Sequence, residues 1–456
     1  MKEIKYAFTA LAALAIASCS DIIDKEPVLE KSPTTIFASK EKIEANLEGV
    51  YGSLGSIAPS YFYTTEMRGD DFEDLVQNGN LIAYEMNVSV SGSSSPWNSL
   101  YQAIGEANDF INNLENAKDI VGNNYGQYRA EALFVRALSY YWLTVLYART
   151  YHLNPNANAV PLRLGTPETS GNDLAPSTIE EVHKQILDDL SDANIALLPV
   201  KGSSPTLATI THATQGAAHA LRQRLYLERW DWDKAIAEGK AITGYKLGDI
   251  TSIFAAPYYT DESIFSFPYS VNNKNSMASS FYLANSVALE DVYSGIFALP
   301  IYSQEADVRK SKLTRKPNSH ITIAKYVDTS SGTDWLPVFR YGEVLLNLSE
   351  AYFNKGDETT AKSLLLEVRR RSIAAADDIL DETTLKGETL KEAIYNERRL
   401  ELVGEGVRSI DIHRRGDTFW KRHGGNEIKV GPTEDGYIYP IPLSETLQNS
   451  LIKSDN

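Results

Sequence analysis

The sequence predicts a mainly α-helical fold in which repeated helix pairs are interrupted by large loop-rich insertions and a few short strands. Apolar residues recur every three or four positions along GQYRAEALFVRALSYYWLTVLYART. One helical face of this segment carries Ala130, Phe134, Ala137, Tyr141 and Val145. The same period follows in STIEEVHKQILDDLSDANIALLP, where Ser177 or Thr178 is placed to cap a helix N-terminus. Amphipathic helices of this kind pack on one another.

The N-terminus has the anatomy of a bacterial lipoprotein signal peptide. Lys2 and Lys5 precede an apolar run at residues 6–17, which is shorter than the roughly 20 residues that a membrane span needs. Ile-Ala-Ser then precedes Cys19, the chain's only cysteine, and resembles a lipobox. We expect residues 1–18 to be removed and Cys19 to carry a lipid anchor. The alternative is an ordinary secretory signal with an incidental free thiol.

The net charge excludes two classes of partner. At −16 the chain is clearly acidic, whereas nucleic acids and anionic lipid surfaces are bound by basic patches. We therefore expect no nucleic-acid partner and membrane contact through the lipid anchor alone. Residues 19–35 are polar, contain two prolines and are predicted to form a lipidated tether, which leaves residues 36–456 as a single domain.

A sequence pattern that occurs twice suggests how the helices are paired. Tyr226 is followed nine residues later by Ala235, and Tyr352 is followed nine residues later by Ala361, with a polar turn inside each pair. An aromatic residue at the end of one helix and a small residue at the start of the next are typical of tetratricopeptide repeats. Chance similarity between two segments is the competing interpretation. We predict tetratricopeptide-like helical hairpins separated by insertions.

Two regions differ in composition from the helical segments. Residues from about 59 to 97 and from about 248 to 335 are rich in Tyr, Phe, Ser and Asn and show little helical period. Within the second region, ESIFSFPY is predicted to be a short strand. Long insertions in a compact domain are usually functional or disordered, and the aromatic residues argue against disorder.

The sequence contains no convincing catalytic motif. It lacks the zinc-protease His-Glu-x-x-His motif, a phosphate-binding glycine-rich loop and a Gly-x-Ser-x-Gly elbow. His212 and His219 could share a helical face, but no third ligand stands near them, so partly buried structural histidines are the preferred interpretation. We expect no cofactor and no catalytic residue.

Two acidic clusters are candidates for the pair of carboxylates that cleaves a glycan. In NERRLELVGEG, Glu397 and Glu401 lie one helical turn apart, and we expect their counter-charges to come from Arg398, Arg399 and Arg408. Neighbouring arginines lower carboxyl pKa values, which favours a structural ion-pair network. The acidic residues of this segment are Glu397, Glu401 and Glu405. The second cluster, RGDDFED, is predicted to be a solvated acidic loop, with a helix cap, a Ca²⁺ site or contacts to sugar hydroxyls as alternatives. It contains Asp70, Asp71, Glu73 and Asp74.

Aromatic side chains in the insertions suggest ligand binding. A Trp or Tyr ring offers an apolar, electron-rich plane to the C–H face of a sugar, and neighbouring polar groups can bind its hydroxyls. We predict Trp335, Tyr63 and Tyr282 as stacking platforms, with Arg68 and Asp70 for hydroxyl contacts. Trp97 is a further candidate, although its helical spacing favours core packing.

Several segments together carry a family resemblance. The sequence resembles the SusD/RagB family of Bacteroidetes surface lipoproteins at Cys19 and at a series of later motifs in the same order. These motifs are WNSLYQAIGEAN, AEALFVRALSYYWLTVLY, ATQGAAHALRQRLYLERWDWDKA, RYGEVLLNLSEAYFNKGD, NERRLELVGEGVRSIDIHRRGD and YIYPIPLSE. Val407 and Ser409 depart from the expected pattern, which concerns packing near the C-terminus.

The resemblance implies a role as well as a fold. It implies four tetratricopeptide-like helix pairs, a lipid anchor on the outer membrane facing outward, and pairing with a SusC-like TonB-dependent transporter. It further implies a non-catalytic protein whose ligand is an oligosaccharide or polysaccharide. Peptide or glycopeptide capture on the same scaffold remains open, as does a helical glycan-cleaving enzyme using Asp70 or Asp71.

Overall fold

The structure is a computed structural model that describes residues 33–75, 86–166, 172–283, 287–289, 304–317, 320–423 and 426–452. The predicted signal peptide, Cys19 and most of the tether lie outside the described residues. The helices of eight or more residues are α1 (Lys40–Arg68), α2 (Ser94–Glu115), α3 (Tyr125–Tyr147), α4 (Ile179–Asp189), α5 (Gln215–Glu228), α6 (Trp232–Ala241), α7 (Tyr341–Asn354), α8 (Glu358–Ser372), α9 (Gly387–Leu402) and α10 (Arg408–Arg415). The predicted mainly helical fold is confirmed.

Shorter elements lie between these helices. The short α-helices are Pro33–Ile36, Lys118–Val121, Asp192–Ile195, Leu207–Thr211, Ile250–Ile253, Val308–Leu313 and Leu443–Gln448. The strands are β1 (Phe72–Asp74), β2 (Ser263–Phe267), β3 (Val287–Leu289), β4 (Thr314–Arg315), β5 (Thr322–Ile323), β6 (Leu336–Arg340), β7 (Phe419–His423) and β8 (Asn426–Val430). They form four antiparallel pairs, β1–β3, β2–β6, β4–β5 and β7–β8. Strand β2 confirms the strand predicted in ESIFSFPY.

The helices form a stack in which most pack on the next along the chain. Contacts join α1 to α2, α2 to α3, α3 to α4, α5 to α6, α6 to α7, and α7 to both α8 and α9. Helix α3 matches the strongest helical period of the sequence and is buried along nearly its whole length. Helix α4 begins after Thr178, whose side chain forms a capping box with Glu181.

The two predicted hairpins are present. Helices α5 and α6 form the first, and α7 and α8 form the second. Ala235 and Ala361 are fully buried where the paired helices approach, as a small residue at this position allows. Asp231 and Asp357 cap the second helix of each pair.

The first inserted region is shorter than predicted. Helix α1 continues through Arg68 and α2 starts at Ser94, so the segment from 59 to 68 is helical although it contains Pro59. Proline has no N–H to donate to the carbonyl four residues earlier, which belongs to Gly55. The hydroxyl of Tyr269 donates to that carbonyl at 2.7 Å instead. A side chain from the second insertion therefore supplies the hydrogen bond that Pro59 cannot donate.

A buried ion-pair network confirms the structural interpretation of NERRLELVGEG. Arg340, at the end of β6, bonds Glu401 and Glu405 at 2.5 and 2.6 Å and Glu262 at 2.9 Å. The predicted counter-charges on neighbouring arginines are wrong, because the partners come from distant segments. Arg371 also bonds Glu262 and Glu401, and Lys325 bonds Glu405. Arg309 bonds both Glu401 and Glu397, and Arg369 bonds Glu397. The network fastens β2, in the second insertion, and β6, directly after it, to α8 and α9.

Candidate functional site

Trp335 stands at the surface directly before strand β6. Its ring stacks on that of Tyr258, with centroids 5.3 Å apart and planes 12° apart. The ring of Tyr259 lies beside it at 5.6 Å, tilted by 57°. Tyr259 is 39% exposed, whereas Trp335 and Tyr258 are half-buried. We call these three residues the aromatic platform.

The loop that carries Trp335 is fixed by two aspartates. The Asp328 carboxylate accepts the Thr333 hydroxyl at 2.7 Å and the backbone N–H groups of Ser331 and Thr333 at 2.8 and 3.0 Å, and these donors hold its pKa well below the usual range. The Asp334 carboxylate accepts the N–H groups of Val327 and Asp328 at 2.6 and 2.7 Å. It also accepts the Tyr258 hydroxyl at 3.1 Å. One carboxylate therefore ties the loop to the ring beneath Trp335.

Tyr258 adopts an uncommon backbone conformation. Its φ is +64°, in the left-handed region that bulky residues rarely occupy. Its N–H donates to the carbonyl of Ala255 at 2.9 Å, which closes a turn. Strained residues of this kind are concentrated at binding sites, where the surrounding structure holds them. Here the turn directs the Tyr258 ring against Trp335.

A cavity of about 280 Å³ adjoins the platform. Tyr258 and Tyr259 line it together with the polar residues Lys246, Ser252, Thr260 and Asp261 and several apolar neighbours. An open cavity with aromatic and polar walls suits an amphipathic ligand such as a sugar, since rings stack and side chains hydrogen-bond.

The charges in this cavity are paired. Asp261 accepts from Lys201 at 3.0 Å and from Lys246 at 3.1 Å. The hydrogen bond from Lys201 and the nearby lysine charges lower the pKa of Asp261. The carboxylate is therefore ionised at neutral pH and can accept hydrogen bonds from a ligand.

Tyr63 and Tyr282 lie in a second aromatic cluster, where β1 of the first insertion pairs with β3 of the second. Tyr63 packs on Phe281 with centroids 5.5 Å apart, and burial raises the pKa of Tyr63 to about 12. The Arg315 guanidinium lies over the Tyr282 ring at 3.9 Å. Both tyrosines are half-buried. The ring partners of Trp335 are Tyr258 and Tyr259 instead, so the three predicted platforms fall in two clusters.

Two predicted ligand contacts are wrong because their side chains are buried. Trp97 is 1% exposed; its indole N–H donates to Glu445 at 3.3 Å and its ring meets the edge of Tyr147. Arg68 is 2% exposed and donates to the carbonyl of Tyr437 at 2.5 Å. Trp97 and Arg68 therefore stabilise the core.

Asp70 and Asp71 are held by arginines. Arg408 binds Asp70 through two hydrogen bonds of 2.5 and 2.8 Å, and Arg399 binds Asp71. Despite burial, the charges of Arg399 and Arg408 keep the pKa of Asp70 well below its ordinary value, the wrong direction for a general acid. The predicted contact of Asp70 with sugar hydroxyls stays a prediction, and both oxygens of Asp70 accept from Arg408.

The other chemical alternatives find no support in the geometry. His212 contacts Glu48 at 2.9 Å and His219 contacts Glu238 at 2.7 Å, so the two histidines have separate partners. Among the described residues, no group of three or more His, Cys, Asp or Glu side chains could hold a metal ion. In the same residues, no helix is both long enough and apolar enough to cross a bilayer.

Sequence reasoning missed Tyr258, Tyr259, Lys246 and Asp261. Tyr258, Tyr259 and Asp261 belong to the insertion at about 248–335, where the sequence shows little helical period, and Lys246 lies just before it. The Pro-Tyr-Tyr run in AAPYYTDE was the available signal, but nothing local to it indicates that its rings face Trp335.

Comparisons with known proteins agree with the fold. Residues 21–227 match a SusD-like family model described as starch-binding associating with outer membrane, and residues 301–456 match the SusD family model. A SusD superfamily protein from Bacteroides fragilis is 40% identical, with a TM-score of 0.87 over 92% of this chain and 100% of that one.

More distant relatives cover the same span. SusD-like protein P38 of Formosa agariphila is 22% identical over 100% of this chain and 99% of its own. A solved structure described as a laminarin binding SusD-like protein is 18% identical, with a TM-score of 0.72 over 92% of this chain and 99% of that one. At this identity the similarity shows the fold alone.

Proposed function

The chain belongs to the SusD/RagB family, and from this premise we propose that it is a surface lipoprotein that binds an oligosaccharide and delivers it to a SusC-like TonB-dependent transporter. Lipidation at Cys19 would anchor it to the outer membrane, facing outward. The family description, starch-binding associating with outer membrane, supports both the class of ligand and the location.

The observation that carries the proposal is the aromatic platform. Two stacked rings and a tilted third present apolar planes at the surface, next to a cavity with an ionised carboxylate and an ammonium group. A sugar ring has an apolar C–H face and hydroxyl groups around its edge, so it matches both parts. The aspartates that fix the loop keep the platform in place before the ligand arrives, which reduces the entropic cost of binding.

We propose that binding occurs without catalysis. Of the two carboxyl groups named for glycan cleavage, Asp70 is bound by Arg408 and has a pKa below its ordinary value. Burial raises the pKa of Asp71, but this side chain is fully buried and bound by Arg399, so a polysaccharide cannot reach it. Polysaccharide incubated with the protein should therefore gain no reducing ends. Release of reducing ends by the purified protein would contradict this part of the proposal.

The test is native affinity electrophoresis of the protein without its first 19 residues. Gels would contain laminarin, starch, xylan, pectin or mucin, and Trp335→Ala would be run beside the wild type. We expect one polysaccharide to retard the wild type and the apparent dissociation constant to rise about tenfold or more in Trp335→Ala, because the stacking surface is lost.

Two further variants locate the site. Trp335→Phe keeps a ring and should recover part of the retardation. Tyr282→Ala, in the second aromatic cluster, should migrate like the wild type. Equal loss in Trp335→Ala and Tyr282→Ala would indicate a site that spans both clusters. Free migration in every gel would contradict glycan binding and direct the search to peptides and glycopeptides.

A further inference from the structure

Trp230 is an exposed tryptophan in the turn between α5 and α6. Its side chain is 43% exposed and its φ is +56°. Among the described residues, the other non-glycine residues with positive φ are Met86 and Tyr258. A left-handed backbone is unfavourable for a large side chain, because its Cβ crowds the following carbonyl oxygen. A tryptophan at this position is therefore unexpected, unless its side chain has a function.

The second hairpin shows which residue this turn ordinarily accommodates. In the first hairpin, Trp230 donates its N–H to Leu227 at 3.1 Å and Asp231 donates to Tyr226 at 2.9 Å. In the second, Gly356 donates to Phe353 at 2.9 Å and Asp357 donates to Tyr352 at 2.9 Å, with φ of Gly356 at +82°. The two turns thus share one hydrogen-bond pattern, and Trp230 occupies the position that Gly356 occupies in the other. Glycine serves the backbone there, so the indole is not needed to form the turn.

The indole is held in place by a second ring. The imidazole of His152 stacks on it, with centroids 3.8 Å apart and planes 19° apart, and Trp232 lies 6.1 Å away at 23°. Leu153, next to His152 in the chain, is 51% exposed. Charged pairs flank the turn, including Asp231 with Lys234 at 2.6 Å. The surface is an aromatic plane with hydrogen-bonding groups at its edge.

This construction repeats that of the aromatic platform. At both places an aromatic residue with positive φ belongs to a stacked ring pair at the surface, Tyr258 with Trp335 and Trp230 with His152. We propose that Trp230 is a second saccharide-binding platform, on the helical side of the protein. The proposal rests on the proposed function, since it assigns the same class of ligand to a second surface.

A sugar fits this surface better than a folded protein does. A stable protein interface buries on the order of 1,000 Å² or more and has an apolar centre. The patch here offers one indole and one exposed leucine, bordered by charged pairs. A single sugar ring needs a plane of about the size of an indole and polar partners for its hydroxyls.

Trp230→Gly is the informative variant. It places at this turn the residue type that the equivalent turn has at Gly356, so it should not impair folding. The same gels, containing laminarin, starch, xylan, pectin or mucin, would compare the wild type, Trp230→Gly, Trp335→Ala and the double variant. We expect Trp230→Gly to weaken retardation by about two- to tenfold, and to remove the retardation that remains in Trp335→Ala. Leu447→Ala removes an exposed apolar side chain of the C-terminal helix Leu443–Gln448 instead, and should migrate like its parent.

The outcomes separate this proposal from the proposed function. If Trp230→Gly changes nothing in either background while Trp335→Ala loses binding, the second platform is refuted and the proposed function stands. If Trp335→Ala changes nothing and Trp230→Gly abolishes retardation, the primary site is misplaced and the Trp230 platform is upheld. Free migration of the wild type in all five gels overturns both. A lower thermal midpoint in Trp230→Gly would refute the equivalence of the two turns, and Trp230→Asn, which also tolerates a left-handed backbone, would then repeat the binding test.

Discussion

A buried carboxyl group without a hydrogen-bond partner lies between α4 and α5. Glu228 is 1% exposed and His183 is fully buried, with Nε2 and Oε1 3.7 Å apart. Neither the carboxyl oxygens nor the ring nitrogens have a hydrogen-bond partner among the described residues. Burial raises the pKa of Glu228 to about 7 and lowers the pKa of His183 to about 3. Glu228 therefore favours its uncharged form below about pH 7, and His183 favours its uncharged form above about pH 3.

Glu228 should make stability depend on pH. Because its pKa is higher in the folded than in the unfolded chain, the folded state binds more protons between about pH 4.5 and 7, and stability falls as pH rises through this window. Glu228→Gln removes this dependence. At pH 8 we expect the variant to exceed the wild type by about 3 kcal/mol in free energy of unfolding, with almost no gain at pH 4.5.

Urea unfolding at the two pH values measures this difference. Glu367→Gln, on the exposed surface of α8, is the control and should show no gain at pH 8. An equal effect of Glu228→Gln at both pH values would mean that Glu228 is ionised in the folded state or that its amide replacement repacks the core.

Helix α1 shows how one element depends on another far away in the chain. Pro59 leaves the carbonyl of Gly55 without its helical donor, and the buried hydroxyl of Tyr269 supplies a hydrogen bond of 2.7 Å. Gly55 also lets β2 approach, since a Cβ there would lie 3.0 Å from the ring of Phe267. The N-terminal helix and the second insertion are thus built to fit each other.

Tyr269→Phe should destabilise the protein by about 1–2 kcal/mol, because the Gly55 carbonyl loses its partner. In a Pro59→Ala background the restored backbone N–H can bond that carbonyl, so the same change should cost less. Urea unfolding of the four proteins in this double-mutant cycle gives the coupling energy. Equal costs in the two backgrounds would show that the tyrosine hydroxyl does not compensate for the proline.

The elements that could be predicted from the sequence are those whose signals are local. The helical period located α3 and α4, and the spacing from Tyr226 to Ala235 located a hairpin. Local signals were misleading where a distant residue contributes. The sequence predicts an insertion from about residue 59, but α1 continues to Arg68, and the Tyr269 hydroxyl bonds the Gly55 carbonyl that Pro59 leaves without a donor. For the site, the burial of Arg68 and the bond between Asp70 and an arginine could not be predicted, because their partners, Tyr437 and Arg408, lie 369 and 338 residues away.

At the scale of the whole molecule, buried charge joins the insertion to the helical stack. The chain carries a net charge of −16, yet several of its largest fully buried side chains are arginines. Arg340 joins Glu262 beside β2, Glu401 on α9 and Glu405 in the turn after α9. Because Trp335 directly precedes β6, the same strand that ends at Arg340 also begins at the aromatic platform.

Arg340→Met is therefore expected to affect both stability and the insertion. Removing one partner of a buried network leaves carboxylates without their counter-charge, and we expect a loss of about 3 kcal/mol in free energy of unfolding. Limited proteolysis of the folded variant should cleave first within residues 248–335. Lys118→Met, which removes an exposed ion pair with Glu115, is the control and should behave like the wild type in both assays. An Arg340→Met variant that unfolds and is cleaved like the wild type would show that Arg309, Arg371 and Lys325 hold the insertion without Arg340, and that the network is redundant at its centre.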